Sequence, residues 1–187
     1  MTDTQIFEAD DRRIPYVVEG EGPVSLVLVP SPELGRDALG VIGHYLAEEA
    51  GFHIVRIGVA SESETVEERV RDVEAVIDHL ELESAWIGGH GAGGTVARAY
   101  AKAHHDRING LLLLGVEDQQ IDLPPVVPVL IVQGTDDDVT PPVHGEQLQQ
   151  TAPERATVKS LDGAGHLFPL THPIDTAFIV EEYLDWD

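Results

Sequence analysis

The chain has 187 residues, enough for one domain with a sizeable core. It has no cysteine, so it carries no disulfide, no thiol nucleophile and no thiolate metal site. Its 34 acidic residues against 11 basic ones, a net charge of −23, oppose binding to nucleic acid or to anionic lipid surfaces. Such acidity fits solubility, or adaptation to high salt, where screening relieves self-repulsion. The N-terminus, Met1-Thr2-Asp3-Thr4, is polar and leads into no apolar run. The apolar runs are of strand length, too short to span a bilayer, so a cytoplasmic protein is expected.

In chain order, residues 5–19 read as two short strands around a turn at Asp10-Asp11, with a second turn at residues 20–23. The run VSLVLV at residues 24–29 has the length of a buried strand. Residues 37–50 read as a helix closed by Gly51, and residues 53–59 as the next strand. The clearest helix covers residues 66–80. There Val66, Val70, Val73, Ile77 and Leu80 share one face, and Thr65 with Glu68 forms a capping box. A strand at 84–88, a helix at 92–104 and buried strands at 109–115 and 127–133 follow. The chain closes with a helix at 143–150, a strand at 156–161 and a helix at 174–186, the last opened by Pro173. Continuous apolar strands alternating with amphipathic helices predict an α/β fold with a mostly parallel sheet of seven or eight strands and helices on both faces. Right-handed crossovers then bring functional residues to the carboxyl ends of the strands.

Three stretches carry chemistry. In Gly88-Gly89-His90-Gly91-Ala92-Gly93, a strand runs through a tight glycine-rich turn directly into a helix. This is the setting of a nucleophile elbow, G-x-S-x-G, with Gly89, Gly91 and Gly93 at its first, third and fifth positions. The second stretch, Gln133-Gly134-Thr135-Asp136-Asp137-Asp138, ends a buried strand and places carboxylates on a loop. The third, Gly163-Ala164-Gly165-His166, sets a histidine on a loop before the last helix. The order elbow, acid, histidine matches the order used by one hydrolase architecture.

On these motifs the chain resembles the α/β-hydrolase superfamily from about Gln5 to Asp187. The resemblance implies that Asp137 orients His166 and that His166 acts as general base, with Asp136 or Asp138 as the acid if the loop is shifted by one. Glu117 and Asp118 stand where some relatives place the acid. Members normally carry Ser, Cys or Asp where this chain has Gly91, although glycine stands there in some non-catalytic relatives. Glycine relieves the strain of the elbow but offers no atom for an acyl-enzyme. One oxyanion donor is expected at the Ala92 amide. The other comes from the loop Val29-Pro30-Ser31-Pro32, where Pro32 has no N–H and Ser31 substitutes through its amide or hydroxyl. Ser31 is also a candidate displaced nucleophile. His90 is read as packing, and His104 and His105 as complements to a helix dipole rather than metal ligands.

The segment 116–126 is too short for the helical cap of many relatives, so a capless, open site is expected. The implied function is esterase-type hydrolysis of a small molecule, weakened or made non-covalent by Gly91, with no metal or organic cofactor. Two alternatives are a non-catalytic protein binding a ligand or partner in the same pocket, and a cofactor-free lyase or oxygenase using the His166–Asp137 pair.

Overall fold

The computed structural model describes residues 3–32 and 37–185. The chain opens with a hairpin of β1 (Gln5–Ala9) and β2 (Arg12–Glu19), turned at Asp10 with φ +54°. Next come β3 (Ser25–Val29), α1 (Gly40–Glu48), β4 (His53–Ile57) and α2 (Val66–His79). Then follow β5 (Ala85–His90), α3 (Ala92–Ala103), β6 (Ile108–Leu114) and β7 (Val129–Gly134). The chain closes with α4 (Pro142–Gln150), β8 (Ala156–Leu161), α5 (Phe168–Thr171) and α6 (Pro173–Leu184).

The strands form one eight-stranded sheet in the order β1-β2-β4-β3-β5-β6-β7-β8. The hairpin is antiparallel, β2 joins β4 antiparallel, and every pairing from β4 to β8 is parallel. Chain order reverses at β3, which has β4 on one side and β5 on the other. In open α/β sheets such a reversal leaves a crevice beyond the carboxyl ends of the strands.

The continuous apolar runs are buried on both faces because each alternate side chain meets a helix layer. Val27, Ile87, Leu111, Leu113 and Ile131 join Val73, Val76 and Tyr100 of α2 and α3 in one core. Leu26, Leu28, Leu112, Leu114 and Val132 join Leu46 of α1 and Val180 of α6 in the other. In α2 the capping box forms as the sequence implies: Glu68 N–H donates to Thr65 Oγ1 at 3.1 Å. Such a cap is worth about 1 kcal/mol. The same helix buries Asp72, which accepts from Ser63 Oγ at 2.5 Å and from Arg12 Nε. Those partners offset the cost of a buried carboxylate.

Several boundaries differ from the sequence reading. β5 runs on through Gly89 and His90, because its ladder with Leu113 and Leu114 of β6 continues to the turn. Residues 37–39 form a turn before α1, closed by Gly40 N–H to Asp37 O. The last helix ends at Leu184, and its expected extension to Trp186 lies outside the described residues. The short helix α5 and a single 3-10 turn at His105–Arg107 were not expected. Residues 115–128, between β6 and β7, form no helix or strand. Gln133 and Arg98 hold that connection: Gln133 Oε1 accepts from Val116 N–H at 3.1 Å, and the Arg98 guanidinium donates to the Glu117, Gln119 and Ile121 carbonyls. Among the described residues no helix is long and apolar enough to cross a membrane.

Candidate active site

Gly91 stands between the last residue of β5 and the first of α3, with φ +54° and ψ −118°. Non-glycine residues reach this region only with strain. Its N–H donates to Leu114 O at 3.0 Å, and its carbonyl accepts from Thr95 N–H at 3.1 Å. The turn is thus pinned to β6 on one side and to α3 on the other. The flanking glycines are required by close approach. A Cβ on Gly89 would lie 2.4 Å from the Gly93 carbonyl carbon, and one on Gly93 would lie 2.1 Å from Val29 O. At Gly91 itself there is room. An added Cβ would sit 3.5 Å from His166 Cε1, 3.6 Å from His166 Nε2 and 3.8 Å from Ser31 Oγ, all ordinary contact distances. The elbow therefore has space for a side chain, and that space faces the imidazole.

The acid and the histidine come together as the family resemblance implied. His166 Nδ1 lies 3.1 Å from Asp137 Oδ2. Asp137 is buried, whereas Asp136 and Asp138 are exposed, so a loop shifted by one residue is not what forms. Both Asp137 oxygens are bonded. Oδ1 accepts from the Val139 and Thr140 amides at 2.9 and 2.8 Å. Oδ2 accepts from Thr140 Oγ1 at 2.6 Å and from the His166 ring. Burial by itself would push this carboxyl up; the hydrogen bonds from Thr140, His166 and Val139 outweigh it and hold the group below the ordinary aspartate range. Asp137 is therefore ionised at neutral pH. With Nδ1 beside it, the Cε1–Nε2 edge of the ring faces Gly91.

Thr140 was not singled out in the sequence. Its hydroxyl donates to Asp137 Oδ2 and lies 3.0 Å from His166 Nδ1, where its oxygen accepts part of the same N–H. Thr140 is buried, and the space for it depends on Gly115, where a Cβ would lie 2.7 Å from Thr140 Oγ1. A threonine three residues after the acid, in a turn that the acid itself caps, is the signal that could have found it. The loops after β7 and β8 are also stitched together. Asp136 N–H donates to Ala164 O at 2.9 Å, and Gly163 N–H donates to Thr135 Oγ1 at 2.7 Å.

The other candidates fall outside this cluster. Glu117 takes a 2.5 Å hydrogen bond from Thr95 Oγ1, and Asp118 is exposed. Neither has a bond to His166 among the described residues. His90 is fully buried; its Nε2 lies 2.8 Å from His166 O and its ring rests on the His166 ring at 4.5 Å. It braces the histidine loop, in line with the packing reading. His104 caps the end of α3, with Nε2 3.7 Å from Glu74, and His105 lies in the 3-10 turn. Ser31 is fully buried at the end of β3, and Pro32 lines a narrow crevice with Ala92 and Gly93. A larger cavity of about 520 Å³ opens beside Trp86, Pro128 and Tyr183, with Trp86 and Pro128 at the amino-terminal ends of β5 and β7. It is remote from His166, which follows β8 at the opposite ends of the strands.

A parallel sheet that ends in an elbow, an acid loop and a histidine loop defines the class of α/β hydrolases. The chain belongs to the alpha/beta hydrolase family, whose model matches residues 26–168. No curated protein matches it in sequence. Solved structures are similar in fold. One is an enol-lactonase from Burkholderia xenovorans LB400, 17% identical, with a TM-score of 0.86 over 97% of this chain and 100% of that one. Another is a thermophilic esterase from Thermogutta terrifontis, 18% identical, with a TM-score of 0.81 over 99% and 98%. A third is a predicted CIB-like hydrolase from Thermoplasma acidophilum, 14% identical, with a TM-score of 0.83 over 98% of each chain.

Proposed function

We propose that this chain is a slow esterase-type hydrolase acting on small, uncharged acyl substrates, with His166 as general base and Asp137 as its orienting acid. One observation carries the reading: the Cε1–Nε2 edge of His166 borders the space above Gly91, with Nε2 3.6 Å from where an elbow side chain would begin, while Nδ1 lies 3.1 Å from an ionised carboxylate. A structural histidine needs no such arrangement, because it would spend both ring nitrogens on protein partners. Here the proton-accepting nitrogen faces the point at which a substrate carbonyl meets the Ala92 amide, the expected polarising donor.

The same geometry supports slowness. Gly91 supplies no atom for covalent attack, and Pro32 offers no amide to a developing oxyanion. Losing one such donor costs about 2.7–4 kcal/mol of transition-state stabilisation. Residues 115–128 add no cap, and the crevice beside Ala92 is narrow, which together favour small substrates and an open approach. The strong negative charge disfavours anionic ones.

Hydrolysis of short-chain chromogenic esters by the parent chain and by His166→Ala tests this. Slow turnover that disappears in His166→Ala supports the reading. A parent chain with no turnover, or turnover indifferent to His166, would leave the fold as a binding scaffold with a ligand or partner in the same crevice.

A further inference from the structure

The elbow has no nucleophilic side chain, yet a hydroxyl borders the same space. Ser31 Oγ lies 3.8 Å from the point where a Gly91 Cβ would sit, and His166 Nε2 lies 3.6 Å from that point. One small region, left open by glycine, is therefore flanked by a buried hydroxyl and by the proton-accepting nitrogen of the imidazole. Ser31 is held there from both sides. Pro30 and Pro32 restrict its backbone, and the loop is pressed on α3 closely enough that a Cβ on Gly93 would come within 2.6 Å of Pro30 O. This loop brings a side-chain hydroxyl to a place where relatives of the fold bring a backbone amide.

We propose that Ser31 is the nucleophile of this chain, working with His166 in place of a residue at position 91. The inference rests on the hydrolase reading above. As the Ser31 Oγ–C bond forms to the substrate carbonyl, the hydroxyl proton passes to His166 Nε2 and the carbonyl π electrons move to oxygen beside the Ala92 amide. Collapse of this adduct breaks the bond to the alkoxy group, which takes the proton from His166 and leaves as the alcohol. Water then adds to the acyl–Ser31 ester, giving its proton to His166. Breakdown of that second adduct returns the proton to Ser31 Oγ and releases the carboxylic acid. Asp137 stays ionised throughout and balances the charge on the imidazolium. Glycine at 91 leaves open the region that both groups border.

The test is to incubate the full chain with p-nitrophenyl acetate, and separately with a fluorophosphonate, then quench in acid and locate adducts by peptide mass spectrometry. The expected result is an acetyl or phosphonyl group on Ser31 that is absent in His166→Ala, and loss of ester turnover in Ser31→Ala. A Ser31→Cys variant should accumulate acetyl on residue 31 as a thioester. If Ser31→Ala keeps its turnover and remains dependent on His166, water attacks directly; the proposal falls and the hydrolase reading stands. A parent chain inert to both reagents removes both. If Ser31→Ala does not fold, mapping on the parent chain decides, and turnover without an adduct on Ser31 overturns the proposal.

Discussion

The loop after β7 and the loop after β3 converge on one site but bring very different equipment. The β7 loop is complete: Asp137 is buried, both its oxygens are bonded, and Thr140 ties carboxylate and imidazole together. The described residues of the β3 loop, 30–32, and the elbow they face are sparser. They offer a glycine where a nucleophile is expected, two prolines and one hydroxyl. A site that had lost all use for acid–base chemistry would have no reason to keep a buried, ionised aspartate aimed at a histidine, since burying a charge is costly unless its bonds are made. On the function proposed above, the difference between the halves means that the acid–base pair is kept while the attacking atom is moved or reduced.

Removing the stronger half should have the largest effect. Turnover in His166→Ala is expected to fall about 10²–10⁴-fold, the usual weight of a positioned general base, with steady-state ester hydrolysis as the measurement. Asp137→Asn should reduce turnover by a similar order, because the ring loses its fixed orientation, and it should also change the response to acid. The Asp137 carboxyl is held below its ordinary range in the folded chain, so its contribution to stability is present above the unfolded value of about 4 and is lost as pH falls through the lower folded value. Acid unfolding followed by circular dichroism should therefore be less steep below about pH 4 in Asp137→Asn than in the parent. An identical pH profile in the two chains would contradict the hydrogen-bond account.

Thr140→Val keeps shape but removes a donor to Asp137 and an acceptor for His166. The expected loss is about 1–3 kcal/mol of stability, since a buried polar group loses its partner, together with a several-fold drop in kcat and little change in KM. A variant with unchanged kcat would make Thr140 a purely structural residue. The smallest effect concerns the surface. If the charge of −23 is relieved by screening, molar sodium chloride should raise the melting temperature, and no rise would leave solubility as the reason for the acidity.

Much of this was legible before the structure. The elbow reads from three glycines at alternate positions between a strand and a helix, and each outer glycine proves to be a point of backbone contact. Asp137 and His166 read from their order and from the glycines beside them. Thr140 did not stand out: its local signal is only a threonine three residues after the acid, and the space it fills depends on Gly115, 25 positions earlier in the chain. The helix α5 did not either: it spans only Phe168–Thr171 and holds a proline, too short for any periodicity. Ser31 reads from the sequence as a candidate displaced nucleophile, but that it and His166 border one space at Gly91 emerges only once the sheet is assembled.

The claim that an intact acid–base pair faces an elbow lacking its nucleophile is tested most directly by Gly91→Ser. Its backbone conformation should cost about 1–3 kcal/mol of stability, while the space around the new side chain is sufficient. The measurement is ester hydrolysis by Gly91→Ser and by the same variant carrying His166→Ala, with acyl mapping on residue 91. The account predicts faster turnover than the parent, an acyl group on the new serine, and loss of both when His166 is removed. A folded Gly91→Ser chain that gains no activity and takes no acyl group would contradict it.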